Sequence, residues 1–242
     1  MVFAGKIRKI IRAFVPYGLI EYRRKILGGR EMLVWPLSAE TLGRKRREYV
    51  FENEYIRASA LELIANEIYD KNIAGSVAEL GVFRGDFAKI INAAFPERKL
   101  YLFDTFEGFD KRDVKKDIEN GFSVGFSPVN GIFSETSIEL VLQKMETKEN
   151  CIIKKGYFPE TAEGINEQFS FVSIDCDLYD PIYSGLHYFY DRLNKGGYIW
   201  VHDYNNKNYS GVKAALRKFS GEKNVSYFPL SDSCGSAVIM KS

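Results

Sequence analysis

Residues 77–88 read Val-Ala-Glu-Leu-Gly-Val-Phe-Arg-Gly-Asp-Phe-Ala. The apolar start (Val77, Ala78, Leu80) predicts a strand and Gly81 and Gly85 a turn. Asp86, a good N-cap residue, predicts a helix over residues 86–94. Strand, glycine turn and helix in that order open an α/β sheet, in which ligands sit at the carboxyl ends of the strands. The glycines, lacking Cβ, would let a flat ligand approach the main chain. The spacing Glu-x-Gly-x-x-x-Gly lacks the middle glycine of a dinucleotide fingerprint and the Lys-Ser/Thr of a P-loop, which argues against a bound pyrophosphate.

Downstream, residues 99–104 (Lys-Leu-Tyr-Leu-Phe-Asp) predict a second strand ending in Asp104. An acid at that tip suits ribose hydroxyls, and adenosine without a pyrophosphate points to S-adenosylmethionine. Residues 105–135 carry Gly108, Gly121, Gly125, Pro128 and Gly131 among Phe106, Phe109, Phe122, Phe126 and Phe133. Without clear periodicity they read as a lid-like insertion whose aromatics either close over a ligand or anchor the loop. Thr136 and Glu139 have capping-box spacing for a helix over residues 137–145. Residues 151–155 predict the next strand, and Tyr157 and Phe158 in the turn after it are candidate contacts to the adenine or core residues.

Residues 169–175 predict a further strand ending in Asp175-Cys176-Asp177. Asp180 and Pro181 then start a helix whose stripe is Ile182, Leu186, Phe189 and Leu193, with His187 read as structural. Asn194-Lys195-Gly196-Gly197 stops it, and residues 198–201 form a strand ending in His202-Asp203-Tyr204. A helix over residues 211–219 and an antiparallel hairpin of residues 225–229 and 236–240 close the chain. Upstream, residues 42–70 read as a helix with Ile56, Ala60, Leu63, Ile64 and Ile68 covering the first strand.

The chain has 242 residues, 45% hydrophobic and 27% charged, enough for one large domain plus an extension. No window reaches the ~18 apolar residues of a membrane span, and Lys6, Arg8, Lys9 and Arg12 break any signal-peptide run. Cys151, Cys176 and Cys234 show no Cys-x-x-Cys spacing, which fits a reduced cytoplasmic setting. The net charge of +2 conceals a basic arm: residues 1–30 hold Lys6, Arg8, Lys9, Arg12, Arg23, Arg24, Lys25 and Arg30 against Glu21. Ile7, Ile10, Ile11 and Phe14 share one helical face there. Such a helix packs on the body or a second subunit in a homo-oligomer, or rests peripherally on an anionic membrane. The charge lies on the arm, so the domain itself is not a nucleic-acid binder.

Asp175, Asp177, His202 and Asp203 come from two strand ends that neighbour each other in such a sheet. Three carboxylates beside an imidazole call for a neutralising cation or proton. Hard oxygen ligands suit Mg²⁺ or Ca²⁺, and the imidazole also admits Mn²⁺ or Fe²⁺.

Six motifs in order resemble the macrocin O-methyltransferase family: Glu79-Leu-Gly-Val-Phe-Arg-Gly85, Phe103-Asp-Thr-Phe-Glu-Gly-Phe109, Gly156-Tyr-Phe-Pro-Glu-Thr161, Ile174-Asp-Cys-Asp-Leu-Tyr179, Gly196-Gly197 and His202-Asp-Tyr204. The resemblance runs from about residue 50 to 240. It implies a Rossmann-like class I methyltransferase fold: a parallel sheet with one antiparallel C-terminal strand and helices on both faces, in a methyltransferase domain (41–242); the helical N-terminal extension (1–40) lies outside the resemblance. It implies S-adenosylmethionine as donor, a sugar hydroxyl as acceptor and Mg²⁺ as cofactor. The donor site would use Glu79, Gly81, Arg84, Gly85, Asp104 and Thr105, with Tyr157 and Phe158 at the ring. The metal ligands would be Asp175, His202 and Asp203, and the general base Asp177. His202 departs from the pattern, since the antibiotic enzymes of the family usually carry a second aspartate there. Two other readings stay open: a non-catalytic protein on the same fold, and an NAD-dependent sugar dehydrogenase, for which neither the phosphate turn nor a Tyr-x-x-x-Lys relay is suitably placed.

Overall fold

The computed structural model describes residues 55–123 and 132–242. The expectations for the basic arm, for residues 19–54 and for the middle of the insertion lie outside the described residues.

The elements run α1 (Tyr55–Asp70), β1 (Ser76–Leu80), α2 (Ala88–Ala94), β2 (Leu100–Asp104), α3 (Lys111–Glu119), α4 (Ile138–Gln143), β3 (Cys151–Lys155), β4 (Phe169–Ile174), α5 (Tyr179–Arg192), β5 (Leu193–Val201), α6 (Ser210–Lys223), β6 (Phe228–Leu230) and β7 (Ser236–Met240). Seven strands form one sheet in the order β3-β2-β1-β4-β5-β7-β6. The pairs from β3 to β5 are parallel, and β7 runs antiparallel to both β5 and β6. Strands β1 and β4 are buried at every position, as a parallel sheet covered on both faces requires.

Alternation along β1 sends Ala78 and Leu80 to one face and Val77 and Glu79 to the other. The first face packs on Ile182, Leu186 and Phe189 of α5 and Val212 and Phe219 of α6. The second packs on Leu61 and Ile68 of α1, Ile91 of α2 and Val141 of α4. Glu79 stands opposite Leu102 and Ser173, and Ser173 opposite Trp200, so a carboxyl occupies a row that is otherwise apolar or small. Because β1, β2, β4 and β5 run the same way, Gly81, Thr105, Asp175 and His202 all emerge at one edge of the sheet.

Several local expectations are corrected. The buried stripe of α1 is Ala58, Leu61, Ala65 and Ile68, while Leu63 is 37% exposed. Of the expected face Ile68 is buried and Ala60 and Ile64 pack partly against the core, so the stripe is centred on Leu61 and Ala65 and Leu63 turns outward. Asp86 does not cap α2, which starts at Ala88 with no side-chain cap; its carboxylate meets Lys144 instead. Ser137, not Thr136, caps α4, its Oγ accepting from Leu140 N at 3.1 Å. The Thr136 hydroxyl donates to Phe83 O. The start of α5 is capped from a distance: Asp117 of α3 accepts from Tyr179 N at 3.0 Å, and Asp180 pairs with Lys116.

The insertion is not wholly irregular, since α3 occupies its first half with Asp110 as N-cap. Its buried residues are Asp113, Val114 and Asp117, so no apolar period announces it. His187 meets Glu222 across the α5–α6 contact, in keeping with a structural role. All three cysteines are free thiols. Among the described residues no helix is long and apolar enough to cross a membrane.

Candidate active site

A cavity of about 430 Å³ opens at the carboxyl edge of the sheet. Glu79, Gly81, Asp104, Thr105, Tyr157, Phe158, Asp175, Asp177, His202 and Asp203 all line it. Of the residues predicted for the donor site, Arg84 and Gly85 are not brought to it. The Arg84 side chain turns to Glu135. A Cβ on Gly85 would meet Val141 and Met145, so this glycine serves the packing of α4.

Gly81 also owes its identity to the protein rather than to a ligand. At φ +86° its Cβ would lie 2.0 Å from the carbonyl oxygen of Asp175. The close approach is between the ends of β1 and β4. Four non-glycine residues around the cavity share the left-handed region: Phe83, Phe106, Asp177 and Asp203, with φ of 49°, 54°, 62° and 58°. Each follows a different strand, a concentration of backbone strain typical of functional sites.

Asp104 organises the first turn. Its Oδ2 accepts from Val82 N at 2.7 Å and Phe83 N at 2.9 Å, and its Oδ1 from Phe106 N at 2.7 Å. Carboxylate oxygens keep further lone pairs, so ribose hydroxyls can still reach them. Thr105 works inside its own turn, donating to Gly108 O and accepting from Glu107 N. The Tyr157 hydroxyl donates to Asp113 Oδ1 at 3.0 Å, with the Arg112 guanidinium 3.6 Å from its ring centre. Phe158 is both wall and core, packed on Phe103, Tyr188 and Phe189.

The acids meet beside this pocket. His202 Nδ1 stands 3.0 Å from Asp175 Oδ1 and 2.8 Å from Asp203 Oδ2. Asp203 Oδ1 accepts from Asn206 Nδ2 at 2.7 Å, and Asp175 Oδ2 from an Arg57 guanidinium nitrogen at 3.0 Å. Burial alone would raise Asp175, but His202 and Arg57 hold it well below the usual carboxylate range. Burial likewise disfavours charge on His202, yet the carboxylates outweigh it and push the imidazole up to about 10. At Asp177 burial, then Asp203 and Asp175, outweigh the lowering by His202 and raise it well above the usual range. Glu79 is raised chiefly by burial.

Arg57 escaped the sequence reading. It comes from α1 and lies 3.7 Å from the Phe87 ring centre. The available signal was an arginine one turn before Leu61, on the stripe α1 buries.

The strand order and the site at the carboxyl ends define a class I methyltransferase fold. The family model of the macrocin O-methyltransferases (TylF) matches residues 35–239, and the chain belongs to that family of O-methyltransferases. Among solved structures it is similar to the O-methyltransferase NovP, with 18% identity over 77% of this chain and 79% of that one and a TM-score of 0.66. It is also similar to CalS11, a calicheamicin methyltransferase, with 21% identity over 95% of both chains and a TM-score of 0.62. Cofactor-bound Rv0187 from MTB follows at 13% identity, 93% and 97% coverage and a TM-score of 0.53. No curated protein sequence matches the chain. Membership in an O-methyltransferase family sets aside the nicotinamide and non-catalytic readings.

Proposed function

We propose that the protein transfers the methyl group of S-adenosylmethionine to a sugar hydroxyl of a glycan or glycosylated natural product, with a divalent cation at Asp175, His202 and Asp203. The observation that carries this reading is the convergence of these three residues and Asp177 on the cavity also lined by Glu79 and Asp104. Family membership supplies the reaction class, and CalS11, described as a TDP-rhamnose 3′-O-methyltransferase, favours a sugar acceptor.

The residues fit a cation. One donor atom from each of Asp175, His202 and Asp203 lies within 4.8 Å of the others. The 2.8 and 3.0 Å contacts at His202 Nδ1 are hydrogen bonds to the two carboxylates, so a cation held there would take the place of the imidazole proton. When bound, such a cation polarises an alcohol O–H and lowers its pKa. Asp177, 8% exposed beside these acids, is the base that would take the hydroxyl proton. Asp104 and the turn it braces hold the nucleoside, Tyr157 and Phe158 wall its ring, and the cavity aligns acceptor oxygen, methyl carbon and sulfur.

In the cytoplasm, where free thiols persist, the acceptor would be met before export. The basic arm then supplies a contact to an anionic membrane or to a second copy. The test is transfer of labelled methyl from S-adenosylmethionine to a panel of sugar acceptors. Asp177→Asn should lose turnover by ~100-fold or more with S-adenosylhomocysteine affinity kept. Wild-type turnover in that variant removes Asp177 as the base.

A further inference from the structure

A second hollow, a groove of about 630 Å³, lies between the loop after β5 and the turn that joins β6 to β7. Its polar lining is Asn205, Asn206 and Lys207 from the loop and Ser231, Asp232 and Ser233 from the turn. Asn206 and Cys234 line both this groove and the acid-lined cavity, so the two adjoin there.

The loop and the turn hold each other. Asn205 N donates to Gly235 O, and at Gly235, with φ +72°, a Cβ would come within 2.8 Å of the Asn205 side chain. Lys213 of α6 donates to Asn205 Oδ1 at 2.8 Å, which fixes the amide and leaves its nitrogen as a donor. Asn206 joins the groove to the reacting acids: its Nδ2 donates to Asp203 Oδ1 at 2.7 Å, and its Oδ1 accepts from Asn208 N at 3.0 Å. In the turn, Asp232 Oδ2 accepts from the Ser236 hydroxyl, whereas its buried Oδ1 has no hydrogen-bond partner. Buried polar atoms are almost always satisfied, so an acceptor left short of a donor marks a place that a ligand hydroxyl completes.

Size and chemistry say what the groove takes. Sites for one small molecule run from roughly 300 to 1,000 Å³. A cavity of about 430 Å³ that holds a nucleoside donor leaves room for one sugar ring and not for what that ring is attached to. The attached group leaves where the cavity adjoins the groove, past Asn206. Amide, hydroxyl, carboxylate and ammonium groups set close together match the mixed donors and acceptors of a carbohydrate. Pro229 and Leu230 add a short apolar strip, enough for the C–H face of a sugar ring. An apolar aglycone in the same place would strip water from the polar groups without replacing their hydrogen bonds.

We infer that this groove is a subsite for the sugar next to the one methylated, and that the acceptor is therefore an oligosaccharide. The subsite rests on the reading of the adjoining cavity as the place of methyl transfer to a sugar. It explains why the β6–β7 turn is built from small polar residues, and it lets the second sugar set which hydroxyl of the first faces the acids.

The test measures transfer of labelled methyl from S-adenosylmethionine by the full chain. The probes are methyl glycosides of glucose, galactose, mannose and rhamnose, disaccharides ending in the same sugars, and their octyl glycosides. For the sugar that is methylated, the disaccharide should have a KM about 10- to 100-fold below that of the methyl glycoside, the worth of two or three neutral hydrogen bonds, at similar kcat. Asn205→Ala and Asp232→Asn should each raise the disaccharide KM by about 3- to 10-fold. Neither residue lines the cavity, so transfer to the methyl glycoside should persist in both variants and report an intact fold. Equal KM values for disaccharide and methyl glycoside, or an octyl glycoside preferred over the disaccharide, overturn the subsite and leave the sugar reading standing. Transfer to no probe overturns the sugar reading and the subsite with it. A preference for the disaccharide that survives both substitutions places the second sugar elsewhere and overturns the subsite. If one variant weakens both acceptors alike, its residue is structural only and the other variant decides; if both do so, the subsite is overturned.

Discussion

Asp113 offers a measurement of electrostatic strain that is independent of turnover. It lies on α3, 4% exposed, and no cation pairs directly with it among the described residues. The Tyr157 hydroxyl donates to Oδ1, but burial dominates and, with Asp180 and Asp110 nearby, pushes the carboxyl from 3.8 up to about 6. A folded pKa above the unfolded one means that the native state holds the proton more tightly. Stability then falls as pH rises from about 4 to 6 and stays low above that. At ~1.4 kcal/mol per tenfold change in proton affinity, the penalty is about 1 kcal/mol at pH 4.5 and about 3 kcal/mol at pH 7.5. Asp113→Asn keeps an acceptor for Tyr157 and removes the ionisation. The ligand-free variant should therefore gain about 2 kcal/mol more over wild type at pH 7.5 than at pH 4.5, roughly 4–8 °C in Tm for a chain of this size. Scanning calorimetry at the two pH values checks this. An advantage that does not grow with pH, or a variant less stable at pH 7.5, refutes the assignment of strain to the buried charge.

Gly81→Ala should destabilise the protein by well over ~2 kcal/mol, because the new Cβ meets backbone at 2.0 Å and a left-handed φ is unfavourable for alanine. A urea midpoint equal to wild type would contradict that reading of the turn. Phe189→Ala, which empties a site enclosed by Phe103, Phe158, Phe169 and Tyr188, should cost about 3–5 kcal/mol in the same assay; a loss under ~1 kcal/mol would mean the cluster is not a packing unit. EDTA should abolish methyl transfer while S-adenosylhomocysteine affinity persists, and turnover indifferent to EDTA would dismiss the cation.

What the sequence disclosed was governed by how local the pattern is. Each strand of the parallel sheet is a short apolar run, and a polar residue directly after or at its tip stands out: Asp104, Asp175 and His202 could be placed on one edge before any contact was known. Glu79 was visible for the same reason, as an acid inside an apolar strand. The donor atoms of Asp175, His202 and Asp203 do converge, because β4 and β5 are neighbours and equal register carries both tips to the same height. Residues whose neighbours are distant in the chain left weaker traces. Helix α3 is organised by buried Asp113 and Asp117, whose partners Tyr157 and Tyr179 lie tens of residues away, so its polar composition read as loop. The two glycines show a related limit: a glycine advertises a close approach without saying what approaches, and here it is β4 backbone at Gly81, which also lines the cavity, and α4 packing at Gly85. Arg57 combines both difficulties, being charged on a stripe expected to be apolar and bound to Ser173 and Asp175 more than a hundred residues on. A charge that survives on a buried helical stripe is held there by partners that sequence spacing cannot name, and in this chain one of those partners, Asp175, lines the cavity.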